Sequence, residues 1–210
     1  AERAGKRVVV IYDEVQRLSE YASDAAERLL RSRTQAHSGV AYLFCGSRKH
    51  LIREMFMDRD RPLYQAAGHY PIGPIGAEHW LPFVTERFER AARPISSAVV
   101  HALTERTDGH PYYTQHLAHA LWEITPPGER ATEQRLSEAL GVVLSRLAYP
   151  FTVTWEAMTS NQRALMTGLA ARGGAHVFSS SFLQQIGLAS SSASRAAESL
   201  MQSGVVDRDE

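Results

Sequence analysis

Arg7-Val8-Val9-Val10-Ile11-Tyr12-Asp13-Glu14 decides how the rest of the chain is read. Four consecutive β-branched apolar residues without alternation describe a strand buried on both faces, the kind found inside a parallel sheet. Two carboxylates follow at once. Asp and Glu are poor strand formers and costly to bury unpaired, so Asp13 and Glu14 belong where the strand emerges, at its carboxyl end. Open α/β sheets bind their ligands there. The same two acids would also suit the first turn of a following helix on electrostatic grounds alone.

Outward from this stretch, Val15, Leu18, Ala22, Ala25, Leu29 and Leu30 recur at helical spacing and predict one amphipathic helix ending near His37-Ser38-Gly39. Val40 to Phe44 make a second apolar run, followed by Cys45-Gly46-Ser47. Strand, helix, strand implies a right-handed parallel crossover. Ser47 then has two readings. It caps the next helix, Arg48 to Met57, or it presents its hydroxyl from a fixed strand tip.

Composition sets the bounds. The chain has 210 residues, with 23 Lys+Arg against 23 Asp+Glu, so its formal charge is zero and no broad attraction to nucleic acid or acidic membrane is implied. One cysteine, Cys45, excludes a disulfide framework and fits a reducing cytoplasm. No apolar run reaches the length of a membrane span, and no signal-peptide pattern is present. A soluble cytoplasmic protein without membrane contact is expected. Both ends look cut, with a charged segment running straight into a central-type strand at one end and Val205-Val206-Asp207-Arg208 at the other.

Pro71 and Pro74 allow at most a short edge strand around Ile72. Glu78 to Arg90 repeats the helical pattern, Ser96 or Ser97 starts the next helix, and Thr107-Asp108-Gly109-His110-Pro111-Tyr112-Tyr113 joins it to a further one, Tyr112 to Ile124. Gly109 suits the helix stop and Pro111 the first turn that follows. His116 and His119 share a helix face, but without Cys or a second ligand pair this is poor evidence for zinc. Beyond Pro126-Pro127-Gly128, Leu136, Leu140, Val143, Leu144 and Leu147 form a long helical stripe, which Pro150 is expected to break. Three short helical segments follow, Thr159 to Ala171, Phe178 to Ile186 and Ser190 to Ser203, then a final strand is expected at Gly204-Val205-Val206.

The apolar run with Asp13-Glu14 resembles the Walker B motif of P-loop NTPases, in the Asp-Glu form of AAA+ and STAND-type ATPases. Ser47 then stands where sensor 1 does, and Gly109-His110-Pro111 resembles the glycine-x-proline turn of the STAND lid. The order of helix, Pro62-Leu63-Tyr64 turn and short strand is similar to that of archaeal-type STAND ATPases. The resemblance implies an α/β fold, part of a parallel P-loop NTPase sheet (1–92), followed by an all-α lid (93–152) and a C-terminal winged-helix unit (153–210).

It implies ATP/ADP as ligand, with Mg²⁺ on Asp13, Glu14 orienting or deprotonating the attacking water, Ser47 assisting, and Gly109, His110 and Pro111 against base and ribose. Mg²⁺ takes one or two carboxylates and keeps its waters, which leaves the second acid free. In related rings an arginine acts across a subunit interface, and Arg59 and Arg61 are the nearest candidates. The alternative for both is a solvated, self-neutralising turn of alternating Asp and Arg.

Two departures stand out. Tyr112 occupies the place where origin-recognition AAA+ proteins carry an Arg, and no Gly-x-x-x-x-Gly-Lys-Ser/Thr loop occurs in these residues. In this family that loop lies upstream of Walker B. The expectation is therefore a fragment of an ATPase that hydrolyses ATP poorly by itself. A plain helix-turn-helix joint explains Gly109 to Tyr113 without nucleotide. A winged helix serves DNA or a protein partner, and Ser191 to Gln202 carries only Arg195 and Glu198, which argues little for DNA. A DNA-binding regulator and a non-catalytic signalling or scaffold module that self-associates or binds a protein remain the alternatives.

Overall fold

The computed structural model describes residues 7–206. Contacts divide the chain into two compact units, one ending at Pro71 and the other beginning at Ile72.

In the first unit, β1 (Val8–Tyr12) pairs in parallel with β2 (Val40–Phe44), in a register running from Val8 opposite Val40 to Tyr12 opposite Phe44. Burial alternates along both strands. Val8, Val10, Val40, Tyr42 and Phe44 are half-buried, whereas Val9 (63%), Ile11 (61%) and Leu43 (51%) are exposed. The expectation of a strand buried on both faces is thus corrected for this unit. Its helices cover one face, where Val15, Leu30, Met55, Phe56 and Leu63 form a core joined by Phe44 and Ile52.

The single helix expected after Glu14 is two pieces, a 3₁₀ helix (Val15–Glu20) and α1 (Ala25–Gln35). Glu14 is left-handed (φ 49°, ψ 44°) and Tyr21 extended, so neither end of the 3₁₀ turn can propagate into an α-helix. Ser19 Oγ donates to the Gln16 carbonyl at 2.7 Å, the local bonding by which serines favour turns over helix interiors.

After β2, α2 (Lys49–Met57) leads to a turn fastened by arginines. Arg61 donates to buried Glu27 at 2.5 Å and lies 3.5 Å from Glu54, while Arg31 donates to the carbonyls of Pro62 (2.6 Å) and Tyr64 (2.8 Å). Arg61 is therefore engaged inside its own unit. Burial pushes the Glu27 carboxyl above its ordinary value despite the Arg61 charge. The segment around Ile72 is not a strand.

The second unit packs α3 (Ala77–Arg90), α4 (Ser97–Arg106), α5 (Pro111–Ile124) and α6 (Glu133–Ala157) around Trp80, Phe88, Leu103, Leu117, Leu121 and Leu136. The caps are those the sequence predicts. Ser96 Oγ accepts the Val99 N–H at 3.4 Å, and Pro111 opens α5. At the Pro126-Pro127-Gly128 break, Ala131 N–H donates to the Pro94 carbonyl at 2.9 Å.

Pro150 does not end the fourth helix, and the boundary expected between 152 and 153 falls inside it. A proline removes the N–H that would bond the Arg146 carbonyl, but Tyr149, Phe151, Val153 and Trp155 around it are exposed, so water can take that carbonyl.

Three further helices, α7 (Ser160–Arg172), α8 (Ser180–Ile186) and α9 (Ser190–Gln202), close over Leu165, Phe182, Ala196 and Leu200. Thr159 and Gln162 form a reciprocal capping box at the start of α7. Val205 and Val206 lie against this core as a bend, not as the expected strand, and its continuation at 207–210 lies outside the described residues. No helix among the described residues is long and apolar enough to cross a membrane.

The Glu27–Arg61 pair generates a first prediction. Removing one member of a buried pair strands the other, at a cost of about 3–5 kcal/mol when both are fully buried. Arg61 keeps some exposure and retains Glu54, so Glu27→Ala should cost about 2–3 kcal/mol. Glu27→Met with Arg61→Met should recover most of it. Urea denaturation midpoints of both variants check this.

Candidate functional site

The parallel ladder continues past the strands and sets the first group of residues. Cys45 N–H donates to the Tyr12 carbonyl at 2.8 Å, and Val15 N–H donates back to the Cys45 carbonyl at 2.9 Å. Between these bonds the chain must turn within two residues, Asp13 and Glu14, and it does so by placing Glu14 in the left-handed region. A non-glycine residue there is uncommon and usually held by its surroundings. Here buried Val15 anchors the turn.

As a result the carboxyl ends of both strands carry polar groups side by side. Ser47 Oγ donates to Glu14 Oε2 at 3.1 Å, and Gln16 Nε2 donates to the same oxygen. These two bonds, Gln16 first, hold the Glu14 carboxyl below its ordinary value, so it is ionised at neutral pH. Asp13 is exposed at the tip, its Oδ1 accepting the Glu14 N–H at 3.0 Å. Ser47 does not cap α2: the residue at that position is Arg48, with no side-chain cap bond.

Asp13 and Glu14 supply only hard carboxylate oxygens, and Asp13 remains open to solvent. That donor set fits Mg²⁺, which needs few protein ligands. It does not describe a closed metal cage, and among the described residues no group of three or more His, Cys, Asp or Glu side chains is arranged as one.

Gly109, His110 and Pro111 lie in the second unit, at the α4–α5 joint. Gly109 has φ +63°, and its carbonyl accepts the Ile75 N–H at 3.1 Å and the Trp80 Nε1–H at 3.4 Å. A Cβ at Gly109 would stand 2.3 Å from the Ile75 carbonyl oxygen. The glycine thus answers both a left-handed turn and a close backbone approach. His110 and Pro111 are exposed beside it, and the His110 ring lies 4.9 Å from that of Tyr113. Pro74, Ile75, His101, Thr104 and Asp108 line a cavity of about 450 Å³ against this turn.

Four residues of these sites were missed by sequence reasoning. Gln16 was hidden because the turn after Glu14 was read as plain α-helix, and Gly46 because it was read only as a linker to Ser47. Trp80 and Ile75 were read only as apolar residues, and their bonds to Gly109 are long-range, with no local signal.

No protein-family model and no curated protein matches this sequence. Among solved structures, the chain is similar to a Walker-type ATPase of Pyrococcus abyssi, with a TM-score of 0.52 and 20% identity over 88% of this chain and 56% of that one. The likeness is one of fold, and the chain spans little more than half of that neighbour's length.

Gly109→Ala tests the α4–α5 joint. Left-handed backbone costs a non-glycine residue about 1–2 kcal/mol, and the new methyl group must also displace the Ile75 carbonyl. The variant should lose at least about 1–2 kcal/mol, read as a lower thermal midpoint. At the first site, Ser47→Ala removes one bond to ionised Glu14, so the Glu14 pKa should rise toward the ordinary glutamate value. The Glu14 bonds are present at neutral pH and lost as pH falls through the lowered pKa, so in Ser47→Ala they should be lost at higher pH. A carboxyl-carbon NMR titration reads this directly.

Proposed function

We propose that this chain is part of a switch ATPase of STAND or AAA+ type, in which residues 1–92 belong to the nucleotide-hydrolysing core, α4 to α6 to the helical lid and α7 to α9 to a winged-helix unit. One observation carries the reading: the Ser47 hydroxyl, at the tip of β2, bonds the Glu14 carboxylate at the tip of β1. Acid and hydroxyl meet where open α/β sheets bind ligands. The likeness to a Walker-type ATPase supports the same architecture.

In this reading Asp13 would hold Mg²⁺, which when bound would offset the charge developing on the transferred phosphate. Glu14, ionised and fixed from two sides, accepts a hydrogen bond from the attacking water and aligns it. Ser47 keeps the carboxylate from swinging away. Gly109, His110 and Pro111 lie against base and ribose of ATP or ADP, and Pro111, rigid at the first turn of α5, passes the state of the site to the helices beyond.

The α9 face offers one arginine, Arg195, whose Nε donates to the Ser191 carbonyl at 3.3 Å, which lends little support to DNA binding by the last three helices.

In the intact protein Glu14→Gln should bind ATP nearly as the parent does and hydrolyse it about 10²–10⁴-fold more slowly. Unchanged turnover would remove Glu14 from the mechanism. Asp13→Ala should shift the Mg²⁺ requirement to higher concentration. A ligand moves an equilibrium only by favouring one state, so lid motion requires differential contacts. Hydrogen exchange should show protection from Gly109 to Tyr113 with either nucleotide and ATP-specific changes near Pro126-Pro127-Gly128. Pro111→Glu should weaken nucleotide binding with the fold intact. Full affinity in that variant, with no nucleotide-dependent exchange in these helices, would refute the switch.

A further inference from the structure

Gln16 is out of place by the rules of a protein core. It is 3% exposed, yet its Oε1 has no hydrogen-bond partner among the described residues. Unpaired buried amide oxygens are destabilising, and an apolar side chain of the same length would avoid the loss. What the residue does make is the Nε2–H bond to Glu14 Oε2.

The opposite wall explains how the amide is held. Gly46 is not among the glycines with positive φ, so its backbone does not require glycine. Space does. A Cβ there would stand 2.0 Å from Gln16 Oε1 and 2.7 Å from the Ile52 Cδ1. The missing side chain is the slot in which the amide sits. Carboxamide orientation is consistent as well, since a flipped amide would set its oxygen against the Glu14 carboxylate.

We infer that Gln16 is the positioning residue of Glu14: seated in the Gly46 slot, its buried amide aims the Glu14 carboxylate, with Ser47 as the second support. This rests on Glu14 acting on the attacking water as proposed above. Gln16 donates its Nε2–H to the Glu14 carboxylate. It acts through Glu14, and the left-handed turn at Glu14 brings the two side chains together although they are only two residues apart.

The test uses the intact protein with ATP. Gln16→Met keeps the length and removes the donor. The kcat should fall about 10- to 100-fold, the range a misplaced catalytic group costs, with the KM for ATP and the thermal midpoint unchanged or the midpoint raised. Gly46→Ala should give the same kcat loss from the other wall, and the double variant should lose no more than either alone. A readout independent of turnover is the ¹⁵N-labelled glutamine side-chain spectrum, in which the Gln16 amide signal should shift in both Glu14→Ala and Gly46→Ala.

Parent-level kcat in Gln16→Met, beside a slow Glu14→Gln, would overturn this inference and leave the ATPase reading standing. A Gln16→Met protein whose thermal midpoint and KM fail together with kcat would make Gln16 a structural residue and overturn it too. Parent-level turnover in Glu14→Gln itself would sink both.

Discussion

The structure of the first unit depends on one pairing. Two parallel strands expose their carboxyl ends on the same side, and the crossover between them has to return the chain to the starting edge. The bonds of Cys45 to Tyr12 and of Val15 to Cys45 extend the ladder past both strands. They leave two residues for the turn. Glu14 must then go left-handed, the following helix must be a short 3₁₀ piece, and the polar tips of β1 and β2 come to lie within hydrogen-bond distance. The geometry of the acids is a consequence of the sheet.

That chain of consequences marks how far the sequence could be read. The apolar runs 8–12 and 40–44 announce strands, and the acids after the first announce its end. The cap at Ser96 and the joint at Gly109-His110-Pro111 were equally legible, because each depends on a few adjacent residues. The failures share a different cause. The 3₁₀ break depends on a bond from Val15 to a residue thirty positions away, and apolar spacing cannot register it. Val9 and Ile11 read as buried from their chemistry, but burial is decided by what packs on the face. Pro150 read as a stop because the rule assumes that the freed carbonyl goes unsatisfied, and on an exposed helix it need not.

At the candidate site the acids and Ser47 could be named in advance, while their mutual arrangement could not. Ser47 has two sequence readings, cap or strand-tip donor; the structure puts Arg48 at the cap and directs the Ser47 hydroxyl to Glu14. Gly109 reads from the sequence as a helix stop and, by resemblance, as part of a nucleotide-side turn, and the structure adds the close approach of Ile75. In both cases the residue type was informative and the partner was not, since the partner lies some thirty residues away.

The distribution of unsatisfied polar groups separates the two units. In the second unit the buried hydroxyls of Thr104, Thr114 and Thr125 all bond carbonyls four residues back in their own helices. Such groups cost the core little. In the first unit Gln16 Oε1, Glu27 Oε2 and Arg61 Nε are buried without partners, and they are all the such atoms among the described residues. One is in the amide that holds Glu14, and the other two belong to the ion pair that holds the turn after α2. A small core with three unpaired polar atoms and a sheet face open on one side has less reserve than a helical bundle with none, so local opening is expected there first. The unit that carries the acids is therefore also the one least able to hold its shape without help. A ligand bound at the strand tips would stabilise it by its own binding free energy, which couples the order of this unit to occupancy of the site.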